Sequence, residues 1–96
     1  DVTLEMFKSG MKPEDIAKER GFVLSTIEGH LAKAVETARL DINAFMPQED
    51  VTEIINVIKE LPESFVSKEL YDKLNGKYGY GKLKAVMAHI KFQHDE

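Results

Sequence analysis

Hydrophobic residues recur at three- and four-residue steps along most of the chain, and glycine and proline interrupt the pattern. This spacing places apolar side chains on one side of an α-helix. The strongest stripe predicts a helix over residues 48–60, which Pro47 opens and Pro62 closes. No segment alternates polar and apolar residues for long enough to require a strand. The stripe comprises Val51, Ile54, Ile55, Ile58 and Leu61.

Two short helices are predicted near the start of the chain. The first covers residues 3–9 and ends at Gly10, because glycine favours the end of a helix. The second begins at Pro13, since proline suits the first helical turn, and Gly21 stops it.

A longer helix is predicted over about residues 24–39. Its start has two alternatives, a capping box formed by Ser25 and Glu28 or an earlier position near Val23. Its expected buried stripe is Ile27, Leu31, Ala34, Val35 and Ala38.

Two more helices are predicted in the C-terminal part. One covers residues 67–74 with Ser67 as its N-cap. The other covers residues 81–93, after a turn rich in glycine and tyrosine. The prediction is therefore an all-α domain of about six short helices, with a helix-turn-helix unit over residues 1–40 and a helical buttress over residues 47–93.

Residues 11–31 have the order of a helix-turn-helix motif: a short helix, a tight turn and a second helix. Gly21 permits the positive φ angle that such a turn often needs. Ala17 is small, which lets the two helices cross closely. The residues expected in the core under this corner are Ile16, Phe22, Ile27 and Leu31.

The second helix of this motif has a polar face that can enter the major groove of DNA. Two of its residues have an alternative role, because Thr26 can bond a backbone carbonyl and His30 can pack against the first helix. Lys33 has the alternative of a solvated surface lysine. The candidate DNA-binding residues on this face are Ser25, Thr26, Gly29, His30 and Lys33.

A second candidate contact with nucleic acid lies in the C-terminal part. Tyr78 and Tyr80 stand beside Lys77, Lys82 and Lys84, and such residues can stack on bases and hold phosphates. Packing within the protein is the alternative for at least one of the tyrosines. The residues selected as DNA-binding here are Tyr80, Lys82 and Lys84.

Composition narrows the functional classes. A chain of 96 residues is sufficient for one domain. The net charge of −4 argues against a strong, sequence-blind nucleic-acid binder. Cysteine is absent, which excludes disulfides, thiolate catalysis and cysteine–zinc sites in these residues. Acidic residues dominate residues 41–64, whereas lysines dominate residues 65–94.

Residues 16–31 and residues 78–89 contain two motifs. Together these motifs resemble the helix-turn-helix domain at the C-terminus of bacterial RecQ-type ATP-dependent DNA helicases, and the resemblance covers about residues 3–89. Val23 and Lys12 stand where that family usually has a polar capping residue. The first motif is Ile16-Ala17, Arg20-Gly21-Phe22 and residues 25–31; the second is Tyr78-Gly79 with residues 83–89.

This resemblance implies a non-catalytic, DNA-binding accessory domain that positions duplex or branched DNA for DNA repair and recombination. The chain is then expected to be the C-terminal fragment of a helicase whose motor domains carry ATP and Mg²⁺, while this fragment has no cofactor and no active site. The expected partners are DNA, bound weakly, and other domains of the helicase, with no membrane or small-molecule substrate. The expected location is the bacterial cytoplasm, at the nucleoid.

Two alternative functions belong to other classes. The domain can serve as a protein-interaction or intramolecular docking module, whose acidic helix faces a basic partner. Less favoured is a free-standing helix-turn-helix transcription regulator. The acidic residues considered for docking are Glu49, Asp50, Glu53 and Glu60.

Overall fold

Helix boundaries in the computed structural model, which describes residues 1–94, follow the glycine and proline positions of the sequence closely. All regular elements of these residues are helical, so the predicted all-α class is confirmed, with seven helices in place of about six. The helices are α1 (Val2–Lys8), α2 (Pro13–Arg20), α3 (Leu24–Glu36), α4 (Ile42–Phe45), α5 (Gln48–Lys59), α6 (Ser67–Lys73) and α7 (Tyr80–His94).

The turn between α2 and α3 forms as its residues predict. Pro13 occupies the first turn of α2, and Gly21 follows the helix with a φ of 72°. This left-handed conformation lets the Phe22 N–H donate to the Ala17 carbonyl at 2.9 Å, which closes the end of the helix. The motif of helix, tight turn and second helix is therefore present.

Helix α3 ends earlier than its hydrophobic pattern predicts. It stops at Glu36, and Ala38 takes a φ of 61° while the Arg39 N–H donates to the Ala34 carbonyl at 2.8 Å. Ala38 is consequently exposed, so its assignment to the buried stripe is wrong. The residues after Glu36 lead into α4, a single helical turn that the hydrophobic pattern did not predict.

The N-cap residues of α3 and α6 are not the serines that the sequence suggests. Val23 is the N-cap of α3 and provides no side-chain hydrogen bond, so the earlier of the two predicted starts is confirmed and the capping box is wrong. Ser67 is the first helical residue of α6, not its cap. Instead, the Glu69 carboxylate accepts a hydrogen bond from the Val66 N–H at 3.1 Å.

The core is centred on α3, which packs against α1 and α2 on one side and most extensively against α7 on another. Contacts between α3 and α7 therefore join the helix-turn-helix unit to the C-terminal helices. Phe22 does not belong to this core, because it is 43% exposed in the turn. The fully buried large side chains are Ile16, Ile27, Leu31, Ile54, Leu70, Leu83, Val51, Val86 and Thr3.

The stripe of α5 is buried only in part. Val51 and Ile54 are fully buried, whereas Ile55, Ile58 and Leu61 are half-buried against the core. No helix among the described residues is long and apolar enough to cross a membrane.

Candidate nucleic-acid interface

Helix α3 has one covered side and one open side. The covered side carries Ile27, Leu31 and Val35, which pack in the core. The opposite side carries four exposed residues of the sequence prediction, at the helical spacing that places them together. We call this set the α3 open face: Ser25, Thr26, Gly29 and Lys33.

Gly29 lies in the middle of the α3 open face. A Cβ atom built on Gly29 would meet no heavy atom within 4 Å. The glycine is therefore not required for packing within the protein. What it leaves is a flat helix surface that another molecule can approach closely.

The positive charge of the α3 open face comes from Lys33, which is already paired. Its Nζ lies 3.2 Å from Glu36 Oε1, and both side chains are more than half exposed. An exposed pair of this kind contributes little to stability. Lys33 can therefore leave Glu36 for a phosphate at small cost.

His30 lies at the edge of the α3 open face and is half-buried. Its Nδ1 shares a hydrogen bond of 2.9 Å with Thr3 Oγ1 on α1. This contact places the ring against the first helix, which was the alternative role for this residue. Only part of the imidazole faces solvent beside Thr26 and Lys33.

Thr3 also binds a second group, although the side chain is completely buried. Arg20 Nη1, at the end of α2, donates a hydrogen bond to the same Oγ1 atom. The Arg20 guanidinium lies 4.9 Å from the centre of the Phe22 ring, which in turn meets His30 edge-on at 6.0 Å. These four side chains join α1, α2, the turn and α3, and they orient the start of α3.

The other edge of α3 meets the start of α7. A Cβ on Gly81 would lie 2.6 Å from Glu28 Cβ, so the two helices touch nearly backbone to backbone there. Burial raises the pKa of Glu28, while the charge of Lys82 lowers it and that of Glu14 adds to the increase. Lys82, a predicted DNA contact, is thus half-buried near Glu28.

The remaining predicted residues of α7, Tyr80 and Lys84, are exposed. Tyr80 is 42% exposed and stacks on Tyr71 of α6, with ring centres 4.6 Å apart and planes 10° apart. Lys84 is exposed on α7. Lys68 of α6 is held by Asp72 at 2.8 Å. The structure therefore divides the predicted set between the α3 open face and this tyrosine pair.

Tyr78 belongs to the core and not to this surface. Its ring is buried and its hydroxyl donates a hydrogen bond to Glu53 Oε1 on α5. Lys77 Nζ donates to the same oxygen at 2.9 Å. Burial and the bond to Glu53 raise the pKa of Tyr78, whereas the bonds from Tyr78 and Lys77 lower the pKa of Glu53. The packing alternative is therefore the correct one for this tyrosine.

Sequence reasoning missed two contributors to this region. Thr3 carries no signal in the sequence beyond its place near the start of a short helix, so its role beneath His30 emerges only from the fold. The sequence pattern assigns Val23 and Leu24 only to the start of the helix, yet they are 66% and 39% exposed. Together with Phe22 they make an apolar tip directly before the α3 open face.

A family model described as a helix-turn-helix domain matches residues 1–87. The match includes α1 to α6 and the first half of α7, and therefore both edges of α3. No curated protein and no solved structure matches the chain.

Proposed function

The chain belongs to the helix-turn-helix domain family, and on that basis we propose that it is a DNA-binding module that contacts DNA through the α3 open face. One observation carries the proposal. Helix α3 packs against α1, α2 and α7, yet the side that carries Ser25, Thr26, Gly29 and Lys33 stays exposed. A second helix that is packed on the rest of the domain and has an exposed polar face is the element that this motif places in the major groove.

The chemistry of the α3 open face suits such a contact. The hydroxyls of Ser25 and Thr26 can donate to or accept from base edges and phosphate oxygens. Gly29 lets the helix backbone come close to the DNA, and Lys33 can bind a phosphate. His30 takes a positioning role at the edge, because its Nδ1 is engaged by Thr3.

The tyrosine pair provides a second contact in this proposal. Tyr80 offers an exposed aromatic surface and Lys84 a nearby charge, the combination that stacks bases and holds phosphates. Lys82 contributes less, since it is half-buried near Glu28. We propose that the α3 open face takes duplex and the tyrosine pair takes an adjoining unpaired strand.

Affinity of the isolated domain should be low. The protein has a net charge of −4, and the α3 open face brings a single lysine that is shared with Glu36. Binding of DNA gains strength from each phosphate that is neutralised, and each lost lysine–phosphate contact reduces the salt slope by about one. A weak binder of this kind suits an accessory domain that a larger DNA-binding protein holds near its substrate.

We further propose that this larger protein is a RecQ-type ATP-dependent DNA helicase acting in repair and recombination. The support is the resemblance of the two sequence motifs around α2–α3 and at the start of α7. In this proposal ATP and Mg²⁺ serve the motor domains, and the present chain positions duplex or branched DNA for them. The open reading frame that encodes the chain should then specify a Walker A lysine and a DEAH-type box upstream; their absence would contradict the helicase assignment.

The test of DNA binding is a titration of the domain with duplex, forked and single-stranded DNA at low salt, followed by amide NMR. We expect shifts concentrated in residues 25–33. The variant Gly29→Glu adds bulk and negative charge where a Cβ meets open space, so it should fold normally and lose about tenfold or more in affinity. The matched control Gly29→Ala should retain binding.

Two outcomes would overturn the proposal. One is an unchanged spectrum for residues 25–33 with all three kinds of DNA. The other is a Gly29→Glu variant that binds as tightly as the natural chain.

A docking module is the second candidate, favoured by the exposed carboxylates of Glu49 and Glu60 on and after α5. Glu53 is not available for a partner, because it already binds Tyr78 and Lys77. The informative variant is therefore Glu49→Lys combined with Glu60→Lys. Impaired assembly of the parent protein with unchanged DNA binding would favour docking over DNA contact.

A further inference from the structure

A groove of about 660 Å³ opens where α1, the turn into α2 and helix α4 meet. A volume of this size lies in the range of sites that bind small ligands or peptide side chains. We call it the α1/α4 groove. Its apolar surface comes from Phe7, Met11, Leu40, Ala44 and Phe45.

The floor of the α1/α4 groove is built from side chains that are anchored in the core. Phe7 and Phe45 meet edge-on, with ring centres 6.4 Å apart and planes at 84°. Leu40 is buried, and Met11 is half-buried against the same cluster. Because these side chains are held from beneath, the apolar floor exists before any partner arrives.

The rim of the groove is basic in a protein that is acidic overall. Lys8, Lys12 and Arg39 line it and are exposed, whereas Asp41 is the single acidic residue of the lining. Within residues 1–94, none of these three cations takes part in an ion pair. Arg39 uses its Nε to donate to Thr37 Oγ1 at 3.0 Å, which leaves the rest of the guanidinium free to bind.

The α1/α4 groove shares no lining residue with the α3 open face, of which Lys33 lies nearest to it along the helix. Arg39 and Leu40 follow the C-terminal end of α3, whereas Ser25 and Thr26 lie at its N-terminal end. The helix has 13 residues and is therefore about 20 Å long. The groove is thus a separate surface, and its role does not depend on the DNA-binding proposal.

We propose that the α1/α4 groove binds an acidic peptide segment that carries a large apolar side chain. The apolar side chain packs onto the floor that Phe7 and Phe45 form, and the carboxylates of the segment pair with Lys8, Lys12 and Arg39. Charge complementarity with the rim selects the acidic flanks, and burial on the floor provides the main favourable free energy. The backbone of duplex DNA fits the rim, but its bases are stacked inside the duplex and offer no group for this floor.

The test uses a labelled ten-residue peptide with a central Phe–Leu pair and four aspartates on each side. Binding is followed by fluorescence anisotropy and amide NMR at low and moderate salt. We expect shifts at Phe7, Met11 and Phe45, and an affinity that falls as salt is added. One control peptide replaces every aspartate with lysine, and another replaces the Phe–Leu pair with serines; both should bind much more weakly.

Variants on exposed positions separate the contributions of shape and charge. Ala44→Arg fills the groove although it adds a positive charge, and Arg39→Glu reverses one charge of the rim; each should weaken binding by about tenfold, or 1.4 kcal/mol. Lys59→Glu makes the same charge change as Arg39→Glu at the end of α5, outside the groove, and should leave binding unchanged. Circular dichroism checks that each variant is folded.

Three results would overturn the proposal. The first is equal binding of the acidic peptide and either control peptide. The second is an equal loss of affinity in Arg39→Glu and Lys59→Glu. The third is displacement of the acidic peptide by duplex DNA with the same shifts at Phe7 and Phe45, which would identify nucleic acid as the occupant.

Discussion

The two sides of α3 differ most clearly at two glycines. At the edge of α3 that α7 covers, Gly81 of α7 lies so close to α3 that a Cβ would stand 2.6 Å from Glu28 Cβ. On the open side, a Cβ on Gly29 would meet nothing within 4 Å. The first glycine is therefore required by the packing of α7 on α3, and the second is free for contact with another molecule.

The two edges of α3, between its covered and open sides, carry polar side chains that are partly buried. At one edge His30 is tied to Thr3, and at the other Glu28 is desolvated under the start of α7. A partly buried polar group stabilises the protein when it has a hydrogen-bond partner and destabilises the protein when it has none. They therefore mark how far the covered side extends around α3.

The largest effect is expected from Gly81→Ala. The added methyl overlaps Glu28 Cβ and also lies 3.1 Å from the Glu28 carbonyl carbon, so α7 must move away from α3. We expect a loss of about 2 kcal/mol in the free energy of unfolding, despite the better helix propensity of alanine. Urea denaturation of the two proteins measures this directly.

Gly29→Ala is the matched control for this change. The same methyl group enters open space on α3, so only helix propensity should matter, and the free energy of unfolding should rise by about 0.5–1 kcal/mol. If Gly81→Ala and Gly29→Ala changed the free energy of unfolding by the same sign and amount, the proposed difference between the two positions would be wrong.

The second effect concerns the His30 edge. Thr3→Val keeps the shape of the buried side chain but removes the oxygen that binds Arg20 and His30. We expect a loss of about 1–2 kcal/mol, since two polar groups lose their partner in the interior, and a shift of the His30 ring resonances. Thr52→Val on α5 is the control, because Thr52 is exposed and should change stability little. An unaffected His30 spectrum in Thr3→Val would place this histidine with the open side.

The smallest effect is a pH dependence at the Glu28 edge. Burial raises the pKa of Glu28 in the folded protein, so ionisation of this carboxyl opposes folding. Stability is therefore lost as pH rises from the pKa of the unfolded chain to that of the folded protein. Glu28→Gln should be more stable than the natural chain at neutral pH, and the advantage should shrink in acid. Thermal unfolding across the acid range measures it.

Glu53→Gln is the opposite control. Hydrogen bonds from Tyr78 and Lys77 lower the pKa of Glu53, so its carboxylate stabilises the fold above the unfolded pKa and ceases to do so as pH falls through the folded value. This variant should be less stable than the natural chain at neutral pH, with a deficit that shrinks in acid. Parallel pH profiles for the two variants would contradict the burial of Glu28 at the edge that α7 covers.

Local signals predicted much of this fold correctly. Proline at position 13 and glycine at position 21 act on their own backbone angles, so the bounds of α2 followed from the sequence. The end of α3 did not, because alanine is the strongest helix former, and Ala38 takes a left-handed angle only where the chain must turn toward α4. Phe22 has a hydrophobic side chain of the kind usually found in a core, yet its contacts with Arg20 and His30 hold it at the surface.

Candidate functional residues divide in the same way. The helical period placed Ser25, Thr26, Gly29 and Lys33 on one side of α3, as the structure has them. No local rule separates Tyr78 from Tyr80, two residues apart, although one is buried against Glu53 and the other is exposed. Contact with DNA stays a prediction for Tyr80 and for the α3 open face.

From its sequence alone, the chain determined an all-α protein with a helix-turn-helix at its N-terminal side, because helical period, glycine angles and proline positions act over a few residues. Tertiary structure decided how far the covered side extends around α3, that His30 turns toward Thr3, and that a basic-rimmed groove forms between α1 and α4. These outcomes depend on α7 and α4 packing against helices far away in the sequence. Contacts between residues far apart in the sequence produce no periodic pattern in the sequence.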